Sequence, residues 1–377
     1  QPVQLADLDG DGDDEAIVFL KASDEKPLKL YLFDLVDGAY QNIAVIEGSG
    51  STFDRVEYVE LDSEPGVEIV VGRQVSEQVL QALGVYSLRD GHIVELLSCN
   101  YTEYTVTDLT ADGVSDLFVL RFDTEERTGV AELYTYNNGM MEREPEASMS
   151  TGVDSVKRII SGNIDGGVPA VLVASTYEDA SILTDVFAVR DGTFCNITAG
   201  TSSASTVRNY YVYATDIDSD GIIELPEPEL LPSAQGTDAA DAYWIIRWYS
   251  LSLDGRRTRK MTTYHNYSGG WYVTLPDEWG ASLTVTRSEE ISGVRGYVFS
   301  QWFGASREPE EIFTIYAFTG DDRATLASTD GRFVIGEKGD VTYAASIGTA
   351  PRAKSLTQDD LIARFGYIRV DWNTGEM

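Results

Sequence analysis

Two nine-residue stretches place carboxylates at a spacing that suits a hard cation. Asp7-Leu8-Asp9-Gly10-Asp11-Gly12-Asp13-Asp14-Glu15 carries acidic side chains at positions 1, 3, 5 and 9 and glycine at position 6. Asp216-Ile217-Asp218-Ser219-Asp220-Gly221-Ile222-Ile223-Glu224 repeats that pattern. Ca2+ takes roughly six to eight oxygens in a flexible shell. Alternate carboxylates on a curling loop aim at one centre, glycine allows the sharp turn, and the position-7 carbonyl (Asp13, Ile222) adds a backbone oxygen. So many carboxylates would repel one another without a cation. Mg2+ fits less well, because it demands a rigid octahedron and keeps its waters. The expected ligands are therefore Asp7, Asp9, Asp11, Asp13 and Glu15, and Asp216, Asp218, Asp220, Ile222 and Glu224.

The remaining residue types offer little to other chemistries. A Ser-His-Asp triad would need His92 or His265, and neither is accompanied by a GxSxG elbow. No P-loop or dinucleotide GxGxxG is present. Carboxylate pairs are too common to nominate a glycosidase acid and base from spacing. With no catalytic motif, the expectation is a chain that is not an enzyme. Cys99 and Cys195 fall at matching places in two repeats and read as buried structural thiols.

Both acidic stretches belong to a repeat. Weaker copies begin at Glu60, Asp108 and Asn163, so that the five starts Asp7, Glu60, Asp108, Asn163 and Asp216 lie 53, 48, 55 and 53 residues apart. A second landmark runs in phase: Asp37-Gly38, Asp90-Gly91, Asn138-Gly139, Asp191-Gly192 and Asp254-Gly255. Such pairs favour the tight hairpin because both central residues tolerate positive φ. Each turn is flanked by strand-like runs such as LKLYLFD and HIVELLS. Each unit thus reads strand, acidic loop, strand, connection, strand, tight turn, strand. Four short strands in about 50 residues are the signature of a β-propeller blade. Units of this kind cannot bury both faces alone and must stack.

The DxDxDGxxE loop followed by a short apolar strand resembles the FG-GAP (or VCBS-type) repeats of integrin-α-like β-propellers. The likeness covers residues 1 to about 268 and is specific in the first and fifth copies. It implies one Ca2+ per intact loop, held by the ten residues named above. The copies at Glu60, Asp108 and Asn163 depart from the pattern. The remainder, 269–377, opens on Gly270-Trp271 and runs through Leu275-Pro276 to Trp279. Its strand-like runs, and a capped helix after Thr357, read as a separate α+β domain with an antiparallel sheet. Repeats joined to a terminal GW-x-x-x-LP-x-x-W segment resemble exported lipoproteins of Gram-positive gut bacteria.

The expected fold class is mainly β: a β-propeller of about five four-stranded blades, residues 1–268, followed by a small α+β domain, residues 269–377. The 377 residues carry 62 Asp+Glu against 28 Lys+Arg, a net charge of −34, most of the excess before Tyr264. That acidity argues against nucleic acid and anionic membrane surfaces as partners. No apolar run reaches the ~20 residues of a membrane span. Because the sequence begins at Gln1, a removed leader is expected, with a lipid anchor as one form of it. The six tryptophans all lie after residue 243, and Trp244 and Trp248 share one strand face that would serve as a contact patch if exposed. The functional expectation is an exported, calcium-binding, non-catalytic binding or adhesion module for protein or glycan at the cell envelope. Calcium would rigidify the blade loops so that the opposite rim presents the binding surface. The alternative is a carbohydrate-active hydrolase or lyase with carboxylates near the propeller axis.

Overall fold

The computed structural model describes residues 3–21, 28–48, 50–75, 81–178, 181–199, 206–233, 242–288 and 294–369. The chain divides into two compact units, residues 1–207 with 252–255, and residues 208–251 with 256–377.

The first unit holds four consecutive antiparallel sheets, each four strands in sequence order. The first contains β1 (Val3–Ala6), β2 (Glu15–Leu20), β3 (Leu28–Val36) and β4 (Ala39–Gly48). The second contains β5 (Thr52–Val59), β6 (Glu68–Gln74), β7 (Gln81–Arg89) and β8 (His92–Tyr101). The third contains β9 (Glu103–Thr107), β10 (Asp116–Asp123), β11 (Thr128–Asn137) and β12 (Met140–Arg143), with the two-residue β13 (Ala147–Ser148) also paired to β11. The fourth contains β14 (Val153–Ile164), β15 (Val168–Tyr177), β16 (Ser181–Arg190) and β17 (Thr193–Asn196). These are blades of the propeller kind, and the fold class is mainly β.

Packing follows from the two-residue period of a strand, which sends alternate side chains to opposite faces. In β10, Leu117 and Val119 join a core with Val70, Leu83 and Val85 of the second blade. Their neighbours Phe118 and Leu120 join a core with Val171, Val173 and Phe187 of the fourth. In β6, Ile69 and Val71 pack against Ile17, Leu30 and Leu32 of the first blade, while Val70 turns the other way. Inner strands covered on both faces therefore read as apolar runs rather than as alternation. The tight turns have the expected geometry in four blades: Asp37 and Gly38, for instance, have φ of 52° and 78°. In the fifth repeat only Gly255 has positive φ, and the connection widens to residues 252–256.

The second unit contains a fifth sheet of β18 (Leu225–Leu230), β19 (Trp244–Leu251), β20 (Arg257–Asn266) and β21 (Trp271–Leu275). A sixth sheet contains β22 (Leu283–Ser288), β23 (Arg295–Gln301), β24 (Glu310–Phe318), β25 (Phe333–Lys338) and β26 (Val341–Ile347), with short helices α1 (Arg323–Ala327) and α2 (Gln358–Arg364). The capping box expected after Thr357 is present: Thr357 and Asp360 exchange side-chain and backbone hydrogen bonds. A last strand, β27 (Phe365–Tyr367), pairs with β21. The fifth sheet thus continues across the 268/269 boundary. Trp271 and Val273 of β21 are buried in one core with Ile245 and Tyr264 of β19 and β20 and with Phe299 and Phe313 of the sixth sheet. The first strand of the fifth repeat is reduced to a bridge between Thr215 and Glu224.

Phe118 is fully buried, with ring centroids 5.5 Å from Phe187 and 6.1 Å from Phe194. Phe118→Ala is expected to cost about 3–5 kcal/mol, read as a lowered urea midpoint at unchanged slope.

Candidate metal centre

Each acidic loop joins the first strand of its repeat to the second. Its second residue is apolar and buried: Leu8, Leu61, Leu109 and Ile217 are 0–5% exposed. That side chain anchors the loop in the core and brings its backbone N–H over the residue at the start of the next strand or, in the fifth loop, just before it. In the first loop Leu8 N donates to Glu15 Oε2 at 2.7 Å, and in the fifth Ile217 N donates to Glu224 Oε2 at 3.1 Å. The second and third loops repeat the bond with Leu61 to Glu68 at 2.8 Å and Leu109 to Asp116 at 2.8 Å. The position-1 carboxylate folds the loop from inside. Asp7 accepts from Gly10 N and Gly12 N, and Asp216 from Asp220 N and Gly221 N. Position 4 is left-handed throughout, at Gly10, Ser63, Ala111 and Ser219. A non-glycine residue enters that region only where surrounding bonds hold it.

This scaffold makes three side chains converge. One oxygen each of Asp7, Asp9 and Glu15 lies within 4.8 Å of the others, and Asp216, Asp218 and Glu224 do the same. Both glutamates are fully buried, and no hydrogen-bond donor reaches Glu15 Oε1 or Glu224 Oε1 among the described residues. Burial pushes each of these carboxyls up to about 7, against the backbone N–H that favours ionisation, and the neighbouring aspartates push in the same direction. Burial likewise raises Asp9. An orphaned buried carboxylate oxygen beside two more carboxylates is a donor set that a hard cation satisfies. Asp7, Asp9 and Glu15, and Asp216, Asp218 and Glu224, would hold it.

The other expected ligands, Asp11, Asp13, Asp220 and Ile222, lie in the same loops beside these trios. Asp11 accepts from Asp13 N at 2.8 Å, and Asp220 accepts from Ile222 N at 2.8 Å. Asp220 is also met by Lys260 Nζ at 3.0 Å, which holds its carboxyl below the ordinary range. Asp13 is exposed, and Ile222 is half-buried. Two charged neighbours escaped the sequence reading. Lys260 reaches the fifth loop from β20, and Asp34 on β3 adds its negative charge to Asp9 and Glu15. The turn at Asp37-Gly38 fixes Asp34's register, and that is the only signal the sequence offers for it.

The eroded copies diverge. Glu60, Asp62 and Glu68 still converge. In the third loop Asp116 Oδ2 takes Leu109 N, Thr110 N and Thr110 Oγ1 together, so the shorter side chain is consumed within its own loop. The fourth closes as a plain turn, Gly167 N donating to Ile164 O at 3.0 Å.

Other candidates fall into the core. Trp248 is fully buried, with Nε1 donating to Thr263 Oγ1 at 2.8 Å, so the face it shares with Trp244 is no exposed patch. Trp271 and Trp279 are buried too, and Trp372 lies outside the described residues. His265 is buried among Trp248, Tyr267 and Tyr272, and burial pulls its imidazole down to about 3. Cys99 and Cys195 are free and half-buried, short of the burial expected of them, and the partial burial of Cys99 pushes its thiol up to about 11.

No protein-family model matches the chain, and no curated protein matches its sequence. Among solved structures it is similar to the rhamnogalacturonan lyase YesW, at 12% identity and TM-score 0.38, over 91% of this chain and 61% of that one. A rhamnogalacturonan lyase of Bacillus licheniformis is similar at 11% identity and TM-score 0.31, over 92% of this chain and 71% of the lyase. Sqt1 of Chaetomium thermophilum is similar at 13% identity and TM-score 0.34, over 93% and 96%. The chain therefore spans less than two thirds of YesW. Likenesses this distant transfer no residue roles. The expectation that the chain is not an enzyme is nonetheless corrected. Two of these similar structures are lyases, and the lack of a familiar motif is no ground for calling the chain a non-enzyme. Among the described residues, no helix is long and apolar enough to cross a membrane.

Two variants probe the loops. Gly66 has φ of 104°, and a Cβ there would run into the backbone of Leu8 and Asp9 in the first loop. Gly12, at φ 94°, faces open space. Gly66→Ala should therefore cost about 1–3 kcal/mol more than Gly12→Ala in thermal or urea unfolding. Glu15→Gln removes a buried charge. In EDTA it should leave the melting temperature equal to or above that of the native chain, while the calcium response of the first loop is lost.

Proposed function

We propose that the chain is a calcium-braced repeat module of the FG-GAP/VCBS kind, working outside the cytoplasm at the cell envelope as a binding or adhesion module for a protein or glycan. One observation carries the reading: among the described residues Glu15 Oε1 and Glu224 Oε1 are buried without a donor, and each glutamate converges with two aspartates. A divalent cation supplies the missing counter-charge and locks the first and second strands of the blade to their loop. Extracellular modules hold Ca2+ with dissociation constants near ~10⁻⁴ to 10⁻³ M, a range matched to extracytoplasmic calcium. The end of the blades opposite the acidic loops carries an open cleft of about 1150 Å³, bordered by Tyr101, Thr102, Arg121, Phe122, Asp123 and Ser148. Its mixture of ring, hydroxyl and charge suits a polar ligand, and supports the placing of recognition on that rim.

The test is thermal unfolding in EDTA and in Ca2+ titrated from micromolar to millimolar. At about 1 mM Ca2+ and a ~10⁻⁴ M site, linkage adds about 1.4 kcal/mol per site, or roughly 3–6 °C. Asp9→Ala and Asp218→Ala should each remove one such increment. A chain whose melting temperature ignores calcium, and is equal in both variants, has no such sites.

A further inference from the structure

The second acidic loop differs from the first and fifth in the charge that meets it. Glu60, Asp62 and Glu68 converge within 4.8 Å, as the other two trios do. Asp62, however, is buried at 3% exposure, and Arg89 Nη2 donates to its Oδ2 at 2.6 Å. Arg89 is the last residue of β7, directly before the Asp90-Gly91 turn. The same Nη2 donates to Tyr136 Oη of the third blade at 2.9 Å, and the guanidinium carbon lies 5.5 Å from that ring's centroid. One guanidinium therefore closes the loop's charge and fastens the second blade to the third.

The turns set the blades in register. Where the second blade has Arg89, two residues past Ser87, the first has Val36, two residues past Asp34. The first loop thus gains a further negative charge from its own third strand, and the second receives a positive one. In the fifth loop Lys260 meets Asp220 on the exposed rim, and among the described residues no ion pair reaches Asp218 or Glu224 of the trio. A guanidinium and a divalent cation at Asp62 would compete for the same lone pairs and repel each other at short range.

We propose that Arg89 is the built-in cation of the second loop, which therefore joins blades two and three without a metal ion and takes Ca2+ only when Arg89 is removed. The contrast with the first and fifth loops rests on the calcium reading above; the role of Arg89 is tested separately. Calcium stoichiometry of the full chain is measured by isothermal titration calorimetry. Glu60→Gln in the otherwise native chain is expected to leave the stoichiometry unchanged, and loss of one ion per chain overturns the proposal. Arg89→Met keeps an unbranched stem without the charge and is expected to add one ion per chain, which Glu60→Gln then removes. A folded Arg89→Met chain with no added ion overturns it. Should Arg89→Met fail to fold, the Glu60→Gln arm still decides. Adding Asp9→Ala and Asp218→Ala separates the two readings: they abolish the native ions, whereas the ion gained with Arg89→Met persists.

Discussion

The organising constraint is a carboxylate at the head of the second strand in the first, second, third and fifth repeats, driven under its own loop and held there by backbone N–H. Glu15, Glu68, Asp116 and Glu224 are all buried, and each takes the amide of the apolar residue seven positions earlier. A charge in that position is costly unless something answers it. The copies answer it differently. Three donors on one oxygen serve Asp116, an arginine stands at Asp62 beside Glu68, and Glu15 and Glu224 are left with an open oxygen among the described residues. The repeat thus preserves a geometry and varies the counter-charge.

That geometry needs the stacked blades. Leu8 and Leu61, whose amides hold the carboxylates, are also members of the cores between adjacent blades, so each loop is tied to the sheet packing. The loops also touch one another: Gly10 leaves no room for a Cβ beside Pro65 and Gly66. Stabilising one loop therefore stabilises its neighbour's backbone, because both stand against the same few atoms.

Most of the blade architecture was legible because two signals of different origin, the acidic loop and the hairpin dipeptide, recur in phase. The convergent trios were legible from DxDxDGxxE as well, since spacing alone sets positions 1, 3 and 9 on one side of the curl. The amide that each aspartate also accepts from two residues on, at Asp9, Asp11, Asp218 and Asp220 alike, is a turn contact that ligand spacing does not reveal. Arg89, Lys260 and Asp34 were invisible for another reason. They approach from a third or fourth strand, across distances that only the sheet register fixes. Trp244 and Trp248 share a face as the strand period requires, yet periodicity cannot say whether a face is covered. Trp271 was assigned to a separate domain by its surroundings in sequence, while backbone pairing made it the start of the fifth sheet's next strand.

The pairing of β21 with β27 bears on how the chain is assembled as it is made. Blades one to four each close through neighbours within about fifty residues, so each can form soon after it leaves the ribosome. The fifth sheet cannot be finished in that way: Trp271 pairs with Tyr367, about a hundred residues later. Until that later segment emerges, β21 presents a free edge, and a free edge is where strands of other molecules add. The acidic character of the chain then has a use during synthesis, since like-charged nascent chains keep apart while that edge waits for its own partner.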